Sequence, residues 1–255
     1  MYRPRIIPVL LLKNNALIKT KKFKNERYIG DPINAVRIFN ALKADEIIFL
    51  DIQASKKGQP ISLELVKEVG EEAYMPFSVG GGIKTLKQME ERIKAGAEKI
   101  VLGSLLFEQP EKIKDAVREF GSSTLIGCMD IKKDWKGKES VFINNGKKKI
   151  QGRIEELARQ VEDMGIGELI VQSIEADGMM QGYNIPLIKR IAEAVKIPVT
   201  ALGGAADLTS MKNLFEEIPV NGLAAGSMFV FSGARHGVLI NYPEKKDIEN
   251  NFKFK

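Results

Sequence analysis

Asp130 stands in the run CMDI, with apolar residues before and after it. A carboxylate at the end of a buried strand loses water on several sides. Its pKa then rises toward the range where one group can both take and give a proton. Pairing with a loop lysine is the plainer structural role. Asp51, in FLDI, is a second candidate acid, and Lys19 lies in a lysine-rich stretch from which it can reach over a site. A second set of residues suits phosphate. Gly80-Gly81-Gly82, Gly103-Ser104, Gly203-Gly204 and Gly226-Ser227 each close an apolar run. Glycine lets backbone N–H groups approach an anion, and serine adds a hydroxyl donor. One such pair alone is a tight turn. Matched pairs in both halves of the chain predict two phosphate sites facing each other, with Asp177 and Gly178 beside the second. A third set, Arg5, Glu46, Lys99 and Glu168, opens apolar runs. Counting in twos puts Arg5 on the side of Leu11, Lys99 with Gly103 and Glu168 with Gln172. Glu46 is out of step with Asp51 unless its strand is bulged. Surface ion pairs, which are common and weak, are the bland account of these charges.

Strands and helices must hold these groups in place. Short apolar runs at 5–12, 46–52, 76–80, 99–104, 124–131, 168–174, 198–204 and 222–227 alternate with amphipathic stretches. The runs are continuous rather than alternating, as in parallel strands buried on both faces. Helix starts are marked by Asp31-Pro32, Ser62, Thr85 and Pro110, and Gly96 follows one helix end. Strand and helix alternating eight times without a break in composition predicts one closed (β/α)8 barrel, the TIM-barrel fold, over residues 1–255. A doubly wound open sheet is the alternative. Internal echoes support closure: LDIQAS with QSIEADG, SVGGGIK with ALGGAAD, and VLGSLLF with LAAGSMF, all about 120 residues apart. Two half-barrels, about 1–120 and 121–240, are expected. Residues 13–31 and 132–152 read as long loops at equivalent places, at the strand ends where barrel sites lie.

Composition narrows the function. The chain has 255 residues, 44% apolar and 28% charged, with net charge +6 and pI near 9.2. No apolar run reaches the roughly 20 residues a membrane span needs, and the N-terminus lacks a signal-peptide cleavage pattern. Cys128 is the single cysteine, so no internal disulfide forms, and a cytoplasmic protein is expected. Lysines crowd the two long loops, which suits either solvated loops or a field that gathers an anionic small molecule. No nucleic-acid module accompanies them. His236 and Cys128 lack ligand spacing, so neither a metal site nor a cysteine nucleophile is expected, and no cofactor is called for.

The stretches RIIP-V-L-L-K, GDPI, FLDI-AS, PF-VGGGI, GS, Asp130 and SI-ADG resemble the cyclase subunit of imidazole glycerol phosphate synthase. The likeness runs from Arg5 to about Phe231. It implies a lyase that binds a bis-phosphorylated substrate across the barrel top and takes ammonia from a glutaminase partner docked at the bottom. It further implies Asp130 as the catalytic acid, with Lys19 and Asp51 at the active site. Gly82, Gly103 and Ser104 would fall in the first phosphate site. Asp177, Gly178, Gly203, Gly204, Gly226 and Ser227 would fall in the second, and Arg5, Glu46, Lys99 and Glu168 would form the ammonia gate.

Departures from that family pattern matter as much. Its second aspartate, at the end of the first strand, is Leu11 here; its asparagine in the first phosphate site is Gly103; a serine expected near Leu202 is absent. The tail after Phe231, SGARHGVLINYPEKK, does not follow the usual last helix. These features resemble a divergent branch tied to acetamidino modification of surface polysaccharide sugars, in which a sugar amidotransferase is a further partner. An authentic histidine-biosynthesis cyclase, making imidazole glycerol phosphate and AICAR from PRFAR, is the alternative. A non-enzymatic docking and ammonia-channelling module is the third.

Overall fold

The structure is a computed structural model that describes residues 3–233 and 235–252. Eight parallel strands form the barrel: β1 (Arg5–Lys13), β2 (Ile47–Asp51), β3 (Phe77–Gly80), β4 (Lys99–Leu102), β5 (Leu125–Lys133), β6 (Glu168–Ser173), β7 (Val199–Leu202) and β8 (Gly222–Ala225). Each pairs with the next, and β8 returns to β1 through Arg5↔Gly222 and Ile7↔Ala224, which closes the sheet. Around it lie α1 (Pro32–Ala41), α2 (Leu63–Glu72), α3 (Leu86–Lys94), α4 (Pro110–Phe120), α5 (Ile154–Asp163), α6 (Ile185–Ala192), α7 (Leu208–Glu217) and α8 (Lys245–Asn251). The expected starts hold. Asp31 and Ser62 accept N–H bonds from the first turns of α1 and α2, and Thr85 with Gln88 makes a capping box on α3. No helix among the described residues is long and apolar enough to cross a membrane.

Side chains alternate along every strand, so the barrel has two cores. Ile6, Leu10 and Leu12 of β1 pack outward against the helices. Ile7, Val9 and Leu11 point inward and meet Ile48, Val101, Ile126, Ile170, Leu202 and Ala224. Arg5 continues this inward row at its lower end and meets Glu46 and Glu168 there.

The two long loops are sheet, not coil. β1 leads into antiparallel strands Ala16–Lys21 and Lys24–Gly30, and β5 into Glu139–Ile143 and Lys148–Lys149. Asn14-Asn15 and Asn144-Asn145 take left-handed backbone (φ 51°, 58°, 54° and 56°). Asparagine tolerates this, and the turn's twist matches the strands it joins. The tail replaces the usual last helix in two steps. Phe231–Ser232 pairs with Gly237–Val238 as a small hairpin, and α8 then packs on α7 through Phe215 and Phe252. Between them, the Tyr242 hydroxyl donates to the Ile6 carbonyl and accepts from Asp45 N–H. The end of the chain is thereby fastened to its beginning.

Candidate active site at the barrel mouth

A cavity of about 160 Å³ opens at the C-terminal ends of the strands, with Leu11, Lys19, Asp51, Cys128, Asp130 and Gln172 in its wall. Asp130 faces it because the inward row of β5 runs Ile126, Cys128, Asp130. Burial pushes its carboxyl up to about 7, and the nearby charge of Asp177 adds to the rise. The Cys128 thiol, donating at 3.7 Å, opposes it. Both protonation states are then populated near neutral pH, which suits general acid–base chemistry. Leu11 faces the same cavity and offers no proton. Around it the wall is apolar, with Val9, Leu50, Val101 and Leu202.

Lys19 does not arrive from a flexible loop. It sits on the first hairpin, whose strand folds back over the mouth with Ile18 opposite Leu11. Its side chain is 5% exposed, and burial lowers its pKa against the pull of Asp177. The ammonium lies where a Cβ on Gly226 would stand, so Gly226 cannot carry a side chain without displacing it. Asp177 anchors this hairpin. Its Oδ2 accepts from Thr20 Oγ1 at 2.8 Å and from Phe23 N–H at 3.4 Å. Asp51 lines the cavity, but its Oδ1 already accepts the N–H groups of Gln53 (2.8 Å) and Ala54 (3.1 Å) where the chain enters the short helix Ala54–Lys57.

The glycine-led strand ends form two cradles. In the first, Gly82 and Gly103 line the central cavity with Ser104, which starts the short helix Ser104–Glu108. Ser104 Oγ accepts the Asn144 N–H at 3.0 Å, and Asn145 Nδ2 donates to the Ile52 carbonyl at 2.6 Å, so the second hairpin leans on this side. The second cradle is a small cleft among Asp177, Gly178, Gly203, Gly204, Gly226 and Ser227. Gly204 has φ +107° and lies hard against the Gly182 carbonyl, where a side chain has no room. Ser227 Oγ is buried there without a hydrogen-bond partner. Asp177 and Leu202 border both spaces, so the cradles lie on one surface across the mouth.

At the opposite end the four charged residues meet. Arg5 binds Glu46 at 2.5 Å and Glu168 at 2.6 Å, and Lys99 binds Glu168 at 3.0 Å. Ser78 Oγ donates to Glu46, and Thr200 Oγ1 donates to Glu168 at 2.6 Å. Burial works to raise the Glu168 carboxyl, but Arg5, Lys99 and the bond from Thr200 outweigh it and hold it below the ordinary carboxylate value. Glu46 needs no bulge to face inward. It shares the inward row with Ile48 and Leu50, and Asp51 is the residue out of step, paired beside the outward Leu12. Sequence reasoning names neither Ser78 nor Thr200, and it weighs Cys128 only as a ligand or nucleophile. The signal was the same count of two: Ser78 precedes Gly80, Thr200 precedes Leu202, and Cys128 precedes Asp130.

Comparison with known proteins agrees with this geometry. The histidine biosynthesis protein family matches residues 5–235. A Leptospira borgpetersenii protein named "Putative imidazole glycerol phosphate synthase subunit HisF" is 47% identical over 253 residues, covering 99% of this chain and 100% of its own. A Pseudomonas aeruginosa protein named "Putative imidazole glycerol phosphate synthase subunit hisF2" is 42% identical over 249 residues, covering 98% and 99%. The "Imidazole glycerol phosphate synthase subunit HisF" of Alkaliphilus metalliredigens is 37% identical over 232 residues, covering 91% and 92%. With a closed barrel, an inward acid at the mouth and relatives matched over nearly their whole length, the chain belongs to the histidine biosynthesis protein family, among the HisF-type subunits of imidazole glycerol phosphate synthase.

Proposed function

We propose that this chain is an ammonia-using, cyclase-like subunit that holds a phosphorylated substrate across the barrel mouth, in the service of acetamidino-sugar formation rather than histidine formation. Asp130 is its one proton-transfer group. The two cradles take the phosphates, with Ser104 on one side and Ser227 on the other, and Lys19 covers the substrate between them. Ammonia comes from a glutaminase subunit at the bottom. There the Arg5, Glu46, Lys99 and Glu168 cluster passes a small neutral molecule while opposing ions and bulk water. An acetamidino group is an amide carbonyl replaced by C=NH, so its formation needs the nitrogen that such a subunit delivers to a sugar amidotransferase.

The observation that carries this reading is Leu11. It lies in the wall where the family pattern has a second acid, so Asp130 lacks that partner. The relatives at 36–47% identity are all named as imidazole glycerol phosphate synthase subunits, which fits the cyclase-like part of the reading and says nothing of a sugar. A general acid or base contributes roughly 10²–10⁴-fold, so ammonium-dependent turnover of PRFAR should lie that far below a two-acid family member. Leu11→Asp should recover part of it. Turnover by the unaltered chain at the two-acid rate, or growth of a cyclase-deficient histidine auxotroph carrying it, would favour the second reading, an authentic histidine cyclase. That reading draws support from Asp130 and both cradles being in place. Lys99→Ala tests the gate: activity with ammonium salts should stand, while glutamine-dependent activity falls. Equal loss with both nitrogen sources makes Lys99 structural.

A further inference from the structure

The first hairpin, which carries Lys19 into the mouth, pairs with β1 and is held further at its turn and along its outer strand. At its turn, Thr20 and Phe23 bond to the Asp177 carboxylate, and Lys22 N–H donates to the Asp177 carbonyl at 2.9 Å. On its outer strand, Lys24–Gly30, Glu26 pairs with Lys13 of β1, Ile29 is buried in the outer core, and Arg27, which the register sets directly opposite Lys19, reaches the chain's tail. The Arg27 guanidinium lies 4.9 Å from the centre of the Phe231 ring, and its Nη1 donates to the His236 carbonyl at 2.8 Å. Phe231 and His236 meet edge to face at 6.0 Å, across the small tail hairpin in which Phe231–Ser232 pairs with Gly237–Val238.

This tail hairpin adds little to either core. Val238 is 43% exposed and Leu239 58%. Its base is nevertheless tied to the barrel. Leu239 N–H donates to Val230 and Asn241 N–H to Phe229, just beyond β8, and Tyr242 is fastened to β1. It is therefore a fixed bracket whose first strand and turn each supply Arg27 with one contact. The hairpin's outer strand is the part that gains from such a bracket, because it pairs on one side only, with Ala16–Lys21.

We propose that the C-terminal hairpin is a latch on the lid over the mouth, and that Arg27 is a positioning residue keeping Lys19 seated against Gly226. Arg27 acts through the strand pair: held on Phe231 and the His236 carbonyl, it fixes the strand whose neighbour carries Lys19. A cation over a half-buried ring and one hydrogen bond to a carbonyl are each modest, so the latch opens and recloses readily. Substrate entry requires that opening, and reclosure returns Lys19 to the mouth.

Cys128 reports the opening without any substrate. It is the chain's single cysteine and lines the cavity that the lid covers. Its rate of modification by N-ethylmaleimide should rise roughly tenfold in Arg27→Ala, the size expected from losing both contacts, with the melting temperature lowered by no more than about 5 °C. Arg27→Lys keeps a cation over the ring and should fall between. Lys24→Ala removes the same charge from the same strand and should label at the parent rate. Labelling of Arg27→Ala at the parent rate overturns the latch. If Arg27→Ala melts early, Phe231→Leu, which removes the ring and keeps the strand pair, decides by the same two outcomes. Thiol labelling is independent of the reaction catalysed, so failure of the latch and failure of the functional reading are told apart; only the part Lys19 plays in turnover rests on that reading.

Discussion

Asp130 and Glu168 are carboxylates on the inward rows of adjacent strands, and their pKa values move in opposite directions. The β5–β6 register sets Asp130 beside Gln172 at the mouth and Glu168 beside Ile126 at the bottom. At the mouth, burial lifts Asp130 to about 7, and a thiol is its hydrogen-bond donor. At the bottom, two cations and a hydroxyl reach Glu168 from β1, β4 and β7 and hold its carboxyl low. Burial alone therefore does not decide what a barrel carboxylate does. Residues delivered by the neighbouring strands decide it. One end of the barrel keeps an acid poised to exchange protons, and the other locks its acids into ion pairs.

The sharpest way to break the comparison is Asp130→Asn. Turnover should fall by roughly 10²–10⁴-fold, and the parent's rate should rise with pH through about 7 if Asp130 acts as a base. Stability should move the other way. A carboxyl with a raised folded pKa costs stability as pH climbs from its unfolded value of about 3.9 toward 7. The asparagine variant should therefore melt higher than the parent at neutral pH. A variant that melts lower would mean Asp130 is a structural acid.

Glu168→Gln should show the reverse sign. It leaves Arg5 and Lys99 without their shared carboxylate. Breaking a fully buried pair costs about 3–5 kcal/mol. Because Arg5 is 30% and Lys99 22% exposed, water screens part of that, and about 1–3 kcal/mol is expected. The folded pKa of Glu168 is depressed, so its contribution is present above the unfolded value of about 4.3 and is lost as pH falls through the folded one. The gap between parent and variant in thermal melts should close in acid. No gap at neutral pH would reduce the cluster to ordinary surface pairs.

The smallest effect belongs to the two cradle serines. Ser227→Ala breaks no protein hydrogen bond, since that hydroxyl has none. It should weaken binding of inorganic phosphate by roughly fivefold, about 1 kcal/mol, and leave the melting temperature alone. Ser104→Ala also releases the Asn144 N–H, so it should lower thermal stability as well. Calorimetric titration beside a melt separates the two. Equal behaviour would mean that the second hairpin does not depend on Ser104.

The amino-acid sequence by itself determined the closed barrel, the strand ends that line its mouth and four of the charged residues at its bottom. These follow from signals read over a few residues: runs buried on both faces, caps such as Thr85 with Gln88, and glycines where backbone must come close. Two features were written in the sequence but masked. ALIKTK and ESVFI carry the β-branched and aromatic residues that favour strands, yet they are short and sit among the lysines of the two long connections, which gave them the look of loops. Only the tertiary structure decided the rest. It turned Asp177 into the anchor of a hairpin, brought Ser78 and Thr200 to the ion cluster, and placed Phe231 and His236 under Arg27. Each of these depends on residues as much as 209 positions apart, as between Arg27 and His236. Periodicity says which side of a strand a residue takes. Barrel closure chooses its neighbours, and a carboxylate's pKa and a serine's partner depend on those neighbours.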